Sequence, residues 1–178
     1  MIPEKLTAYF ENTIKDHWDQ IALRDYDNGE KTYADAGNII LNLHELFRNN
    51  NIQKGDKIAL IGKNSGDWAC IYLATVTYGA VIVPLLQDFT PNDIHNLVNH
   101  SDSKLLFISD FIFNKLKPDV FTQLEGIYQL ENYKLLHSYT NQSATYSAKE
   151  QGIGLADFKL EQIDNGELAA ILYTSGTS

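Results

Sequence analysis

The stretch "KIALIGKNSGDWACIYLATVTYGAVIVPLL", Lys57 to Leu86, decides the fold class. After Lys57, the run Ile58-Ala59-Leu60-Ile61 reads as a short buried strand. Gly62-Lys63-Asn64-Ser65-Gly66 breaks it, and Asp67 to Tyr78 then reads as a helix. Gly79 ends that helix, and β-branched Val81, Ile82 and Val83 start a second strand before Pro84. Trp68 to Leu86 carries no charged residue and is about as long as a membrane span. Gly79 and Pro84 interrupt it, however, so it reads as a buried helix, a turn and a buried strand. Strand, helix and strand in that order form a crossover, which implies a parallel sheet covered on both faces.

The same alternation continues downstream. Thr90 offers a helix N-cap with Pro91 at the first position and Asp93 closing the box. "KLLFIS" is a third strand, Phe111 to Leu116 a short helix, and "GIYQL" a fourth strand. Residues 138 to 154 are rich in Ser, Thr, Asn, Gln and Gly and read as an exposed loop or linker. Asn165-Gly166 then leads into a last strand, Leu168 to Tyr173. Upstream, Leu6, Phe10 and Ile14 share one helical face. "IALRDYDNGEKTY" reads as a hairpin turning at Asp27-Asn28-Gly29 and lying beside the sheet. Thr32, with Asp35 three residues on, caps a helix whose stripe is Ile39, Ile40, Leu43, Leu46 and Phe47. The expected architecture is therefore α/β: a largely parallel, flavodoxin-like sheet with helices on both faces, plus an N-terminal hairpin.

Charge narrows the partners. With 14 basic against 23 acidic residues and no basic run, no polyanion-binding face is expected, and so no nucleic-acid partner. Cys70 is the only cysteine, which leaves no intramolecular disulfide and no cysteine-based zinc site, and fits a reducing compartment. The opening residues carry Glu4 and Lys5 and lack the apolar core of a signal peptide. A cytoplasmic location is the expectation, with the complete protein either free or peripheral at a membrane.

Three features could carry chemistry. The Gly62 to Gly66 loop could offer N–H groups to an anion, but it lacks the Gly-Lys-Ser/Thr spacing of a nucleotide loop, and Ser65 serves more simply as the N-cap of the following helix. His17, His44, His95, His100 and His137 are scattered, with no i, i+4 pair for a metal. The closing "YTSGTS" places Thr174, Ser175, Thr177 and Ser178 around Gly176. Hydroxyls with a close-approaching backbone suit phosphate. A frayed polar end after an edge strand is the competing reading.

Residues 32 to 109 resemble the N-terminal part of the AMP-forming acyl-CoA synthetase superfamily, which also holds luciferases and the adenylation domains of peptide synthetases. The resemblance rests on Thr32-Tyr33, Lys54-Gly55-Asp56, Asn64-Ser65 before Trp68, Gly79-Ala80-Val81 leading to Pro84-Leu85, Thr90 to Ile94, and His100-Ser101 before Lys104. These come in the family's order over most of residues 21 to 178. Leu168 to Thr177 then looks like the family's strand and phosphate loop, Y-T-S-G-T-T-G-x-P-K-G, with Ser178 where a second Thr is usual. The wording from Val83 to Lys104 looks closest to bacterial long-chain fatty-acid CoA ligases.

The resemblance implies a carboxylic acid, ATP with magnesium, and coenzyme A as substrates and cofactors. It implies that Thr174, Ser175, Gly176, Thr177 and Ser178 hold the β- and γ-phosphates of ATP in the intact enzyme. Residues 1–165 would form the N-terminal subdomain, and 166–178 the first strand and opened phosphate loop of the next. The family's remaining loop, magnesium and ribose residues and its catalytic lysine would lie downstream, so the 178 residues read as an N-terminal piece, cut by design or by a shortened gene. Alone they are expected to be inactive, to bind no cofactor, and either to self-associate through 168–173 or to leave that tail loose. Two rivals remain: a non-catalytic α/β interaction module, and a flavodoxin-like binder with its ligand at the carboxyl ends of the strands.

Overall fold

The computed structural model describes residues 5–26, 29–140, 144–147 and 152–174. Helix α1 (Leu6–Asp16) leads to a hairpin of β1 (Ile21–Asp25) and β2 (Gly29–Thr32). Asp27 and Asn28 of the expected turn lie outside the described residues; Gly29 sits at φ +79°, the left-handed region that favours glycine. Helix α2 (Tyr33–Asn49) starts on a complete capping box: Asp35 N–H donates to Thr32 Oγ1 at 3.1 Å, and Thr32 N–H donates to the Asp35 carboxylate at 2.8 Å. Then follow β3 (Lys57–Ile61), α3 (Gly66–Tyr78), β4 (Val81–Leu85), α4 (Pro91–His100), β5 (Ser103–Ile108), α5 (Asp110–Phe113), β6 (Gly126–Gln129) and β7 (Leu135–Ser138).

The main sheet runs in the order β4-β3-β5-β6-β7, parallel except for β7. Alternation along the strands divides the core in two. Ile58, Leu60, Ile82, Leu105, Phe107 and Tyr128 face α1, α2 and α3. Ala59, Ile61, Val83, Leu106, Ile108 and Ile127 face α4 and α5 through Ile94, Val98 and Ile112. Each Val, Leu or Ile among these, fully buried, contributes about 1.5–3 kcal/mol. The winding reverses at β3: the connection through α3 runs to one side of it and that through α4 crosses to the other. Trp68 to Leu86 is the expected helix, turn and strand, with Gly79 at φ +87° closing α3. Among the described residues, no helix is long and apolar enough to cross a membrane.

Four local expectations need revision. The helix expected over Phe111 to Leu116 is only the single turn of α5. Strand β7 was not foreseen; it pairs antiparallel with β6 through a four-residue edge segment without a strong apolar alternation. The stretch from 138 to 154 is not simply an exposed linker. Tyr128 Oη donates to the Ala144 carbonyl at 2.7 Å, Ala144 and Tyr146 pack on the core, and Ile153 N–H donates to Asn38 Oδ1 at 2.6 Å.

Leu168 to Tyr173 is not a strand but makes a single parallel bridge, Ile82 to Ala170. Ile82 N–H donates to the Ala169 carbonyl at 3.0 Å and Ile171 N–H to the Ile82 carbonyl at 2.9 Å. The next donor facing this segment would come from Pro84, which has no N–H, so the ladder stops.

Candidate functional site

The carboxyl ends of parallel strands are where open α/β sheets bind ligands, preferentially where the winding reverses. Here the reversal falls between β3 and β5, and that crevice is filled. Gly62 leaves β3 against Ser109 and Leu130: a Cβ at position 62 would stand 2.4 Å from Ser109 Oγ and 2.7 Å from Leu130 Cδ1. Ser109 and Leu130 are buried, with the Ser109 N–H donating to the Ile61 carbonyl at 3.1 Å. At Gly62 the backbone of β3 is therefore closed against Ser109 and Leu130.

The open space lies one strand over. A cleft of about 580 Å³ forms at the carboxyl ends of β3 and β4, where the segment after Ile171 passes. Gly62, Lys63, Asn64 and Trp68 make one wall, Pro84 to Asp88 another, and Leu172, Tyr173 and Thr174 the third. No local pattern in the sequence groups Lys63, Leu86, Gln87 and Asp88 with Thr174. Their common signal is position: each follows directly on a buried strand that ends in the same layer. Lys63 and Thr174 are both exposed in this cleft. Of the five residues expected to hold phosphate, Thr174 is thus placed at the cleft; Ser175, Gly176, Thr177 and Ser178 lie outside the described residues.

The N-terminus of α3, beside this cleft, is already occupied by the protein itself. Ser65 Oγ accepts from Trp68 N–H at 3.2 Å, as expected for its N-cap. Gly66 N–H lies 3.0 Å from each oxygen of the Asp25 carboxylate, delivered by the hairpin. An internal anion therefore takes the helix end that could have attracted phosphate. Asp67 in the first turn of α3 is paired to Lys31 Nζ at 3.3 Å and accepts from Tyr133 Oη at 2.6 Å. Burial, and then that hydrogen bond, push the Tyr133 phenol far above its ordinary pKa. Tyr133 holds this contact from φ +61°, a conformation that costs a bulky residue about 1–3 kcal/mol.

The histidines are dispersed in space as well as in sequence. His44 is buried, its Nε2 3.0 Å from the Ala74 carbonyl oxygen, and burial lowers its pKa to about 4. His95 Nε2 accepts from Lys117 N–H at 3.2 Å, and its pKa is lowered by burial and then by Lys117. His100 Nδ1 lies 2.8 Å from the Tyr173 hydroxyl. Cys70 is buried, which raises its thiol to about 12 and makes it unfit as a nucleophile.

Comparison with known proteins supplies what the geometry does not. A family model described as "AMP-binding enzyme" matches residues 10–178. A medium-chain fatty-acid–CoA ligase from Escherichia coli is 27% identical over 177 residues, 97% of this chain and 31% of its own length. Long chain acyl-CoA synthetase 3 from Arabidopsis thaliana is 24% identical over 83% of this chain and 24% of its own length. The chain thus spans only about a quarter to a third of the length of these ligase and synthetase relatives. Among solved structures, coronafacic acid ligase from Pectobacterium brasiliense (R395G form) superposes with a TM-score of 0.76 at 23% identity, over 96% of this chain and 33% of that one. The anthranilate CoA ligase AuaEII, solved with anthranoyl-AMP, gives 0.77 at 14% identity, over 99% and 32%. At these identities the superpositions establish a shared fold.

Proposed function

Since the chain belongs to the AMP-binding enzyme family, we propose that it supplies the N-terminal α/β part of an ATP-dependent acid–thiol ligase. A carboxylate attacks the α-phosphate of ATP, forming an acyl-adenylate and expelling pyrophosphate. The thiol of coenzyme A then attacks the acyl carbon, and AMP leaves as the thioester forms. The observation that carries this reading is the arrival of Thr174 at the cleft beyond β3 and β4, in the sequence context Tyr-Thr-Ser-Gly-Thr-Ser. There Thr174 with Ser175, Gly176, Thr177 and Ser178 binds the β- and γ-phosphates, offering hydroxyl and backbone donors where the leaving pyrophosphate gathers charge. Residues 1–165 act as the supporting subdomain, and 166–178 as the entry into the catalytic one.

Magnesium, when bound, would neutralise phosphate charge. Among the described residues no three His, Cys, Asp or Glu side chains converge on a point, so none of them is assigned to it. We assign a fatty acid as substrate. The curated relatives named for medium-chain and long-chain acids favour an alkyl over an aryl acid, and the wording from Val83 to Lys104 favours a long chain.

The test is pyrophosphate release and thioester formation by the complete gene product, across alkyl acids of increasing length and aryl acids. ATP-dependent thioester formation with long alkyl acids is expected; no pyrophosphate release with any acid refutes the reading. The 178 residues alone are proposed to be inactive, because half a phosphate loop without its partner groups is not preorganised. Calorimetric titration of them with Mg-ATP should show no saturable micromolar binding, and tight stoichiometric binding would refute this.

A further inference from the structure

The segment that enters the cleft is held unevenly. Its backbone is bonded to Ile82 at Ala169 and Ile171, and there the pairing ends. Beyond Ile171, Tyr173 turns back toward the layer of α4, while Leu172 and Thr174 are exposed. Its hydroxyl lies 2.8 Å from His100 Nδ1, and the two rings meet edge to face, centroids 5.8 Å apart at 74°. We propose that His100 is a positioning residue for nucleotide binding: through the Tyr173 hydroxyl it fixes the point at which Thr174 starts the phosphate loop. The proposal rests on the reading that Thr174 opens that loop.

The anchor is built on a rigid element, as a positioning group must be. Helix α4 begins on a full capping box, with Asp93 N–H donating to Thr90 Oγ1 at 3.3 Å and Thr90 N–H to the Asp93 carboxylate at 3.2 Å. Ile94 and Val98 lock it to the sheet. Its last turn is tied on both sides of His100. Asn99 Nδ2 donates to the Val120 carbonyl at 3.0 Å, and Ser101 Oγ donates to the Val98 carbonyl at 2.9 Å. The phenol keeps its proton, since burial and then Asp102 raise its pKa. It can therefore donate to Nδ1 of an imidazole carrying its own proton on Nε2. Thr174 follows directly on the residue that makes this bond, so a swing of the Tyr173 ring carries the loop's first hydroxyl with it. A contact that served stability alone would have no reason to affect nucleotide more than acid.

The test is a double-mutant cycle on the complete gene product, with KM for ATP, KM for the acid and kcat measured alongside thermal unfolding. Tyr173→Phe removes the hydroxyl and keeps the ring; His100→Ala removes the acceptor. Each should raise KM for ATP about 3- to 10-fold, the factor one hydrogen bond supplies, with KM for the acid unchanged. The double variant should be no worse than the more affected single. His100→Asn, which restores a short acceptor, should recover part of the loss. Additive effects, or a lowered unfolding temperature with KM for ATP unchanged, would overturn the proposal. Tyr173→Phe keeps the half-buried ring and so decides the matter should His100→Ala fold poorly. A wild-type protein that releases no pyrophosphate overturns the functional reading and this proposal with it; an active one with unaltered KM in Tyr173→Phe overturns this proposal alone.

Discussion

Replacing Gly62 by alanine asks whether the crevice between β3 and β5 is closed. The new methyl would sit 2.4 Å from Ser109 Oγ and 2.7 Å from Leu130 Cδ1, closer than real Cβ contacts come. Ser109 and Leu130 are each only 1% exposed, so neither has free space to retreat into. Overpacking of this kind costs about 1–3 kcal/mol. Alanine also restricts the unfolded chain, which offsets about 0.4–1 kcal/mol. The net loss is about 0–2.6 kcal/mol. With a urea slope of about 2 kcal/mol per molar, the unfolding midpoint should fall by up to about 1.3 M. The same change made on Ser109→Ala should cost at least about 0.5 kcal/mol less, because only a terminal methyl of Leu130 remains in the way. Gly62→Ala that raises the midpoint in both backgrounds would mean that the crevice is open at Gly62 and can take a ligand as readily as the β3–β4 cleft.

Below neutrality, His44 should make stability pH-dependent. Its pKa is lowered by burial from 6.5 to about 4, so the unfolded chain binds the proton more readily, and stability present above pH 6.5 is lost as pH falls toward 4. Between pH 7 and pH 5 that loss is about 2 kcal/mol, and His44→Leu should remove it from urea-unfolding curves; parallel pH profiles for the two proteins would refute the assignment. The buried Cys70 thiol, raised to about 12, should resist a disulfide reagent in the native chain and react fully in denaturant; rapid native labelling would contradict its burial. Thr90→Ala breaks the α4 capping box and should cost about 1 kcal/mol in chemical denaturation. A neutral result would show that packing alone holds that end.

What could be read from sequence was what depends on neighbours in the chain. Both capping boxes, Thr32 with Asp35 and Thr90 with Asp93, span three residues and formed as expected. The alternation of Ile58, Ala59, Leu60 and Ile61 between two buried faces followed from a parallel strand covered on both sides. What could not be read depends on residues far apart. Asp25 caps Gly66 across 41 positions, and no local pattern marks a hairpin carboxylate as the partner of a helix end. Phe158 and Leu160 are fully buried after a polar stretch; Phe158 packs on Trp18, with ring centroids 5.7 Å apart, and its ring stands 3.0 Å from where a Cβ on Gly37 would lie. Strand β7 has no clear sequence signal because its residues are half-buried or exposed, and backbone pairing at a sheet edge demands little of side chains.

Pro84 links the fold to the site more directly than any charged residue does. Its position on β4 is the one whose N–H would face outward, away from β3. With an N–H there, the segment after Ala170 could continue the ladder and run on as a sixth parallel strand. Without it, pairing stops after one bridge, and the backbone of residues 172–174 runs off the sheet where the cleft begins. Release by itself would leave a loose tail, since one bridge orders little chain against an entropy cost of about 1–2 kcal/mol per residue. The side-chain bond from Tyr173 to His100 answers that cost from the other layer of the molecule. The edge proline ends the pairing after Ile171, and the ring pair holds Tyr173, the residue directly before Thr174. On the proposed reading that Thr174 opens a phosphate loop, both are needed, because such a loop must present N–H groups that no neighbouring strand has claimed and present them in one place.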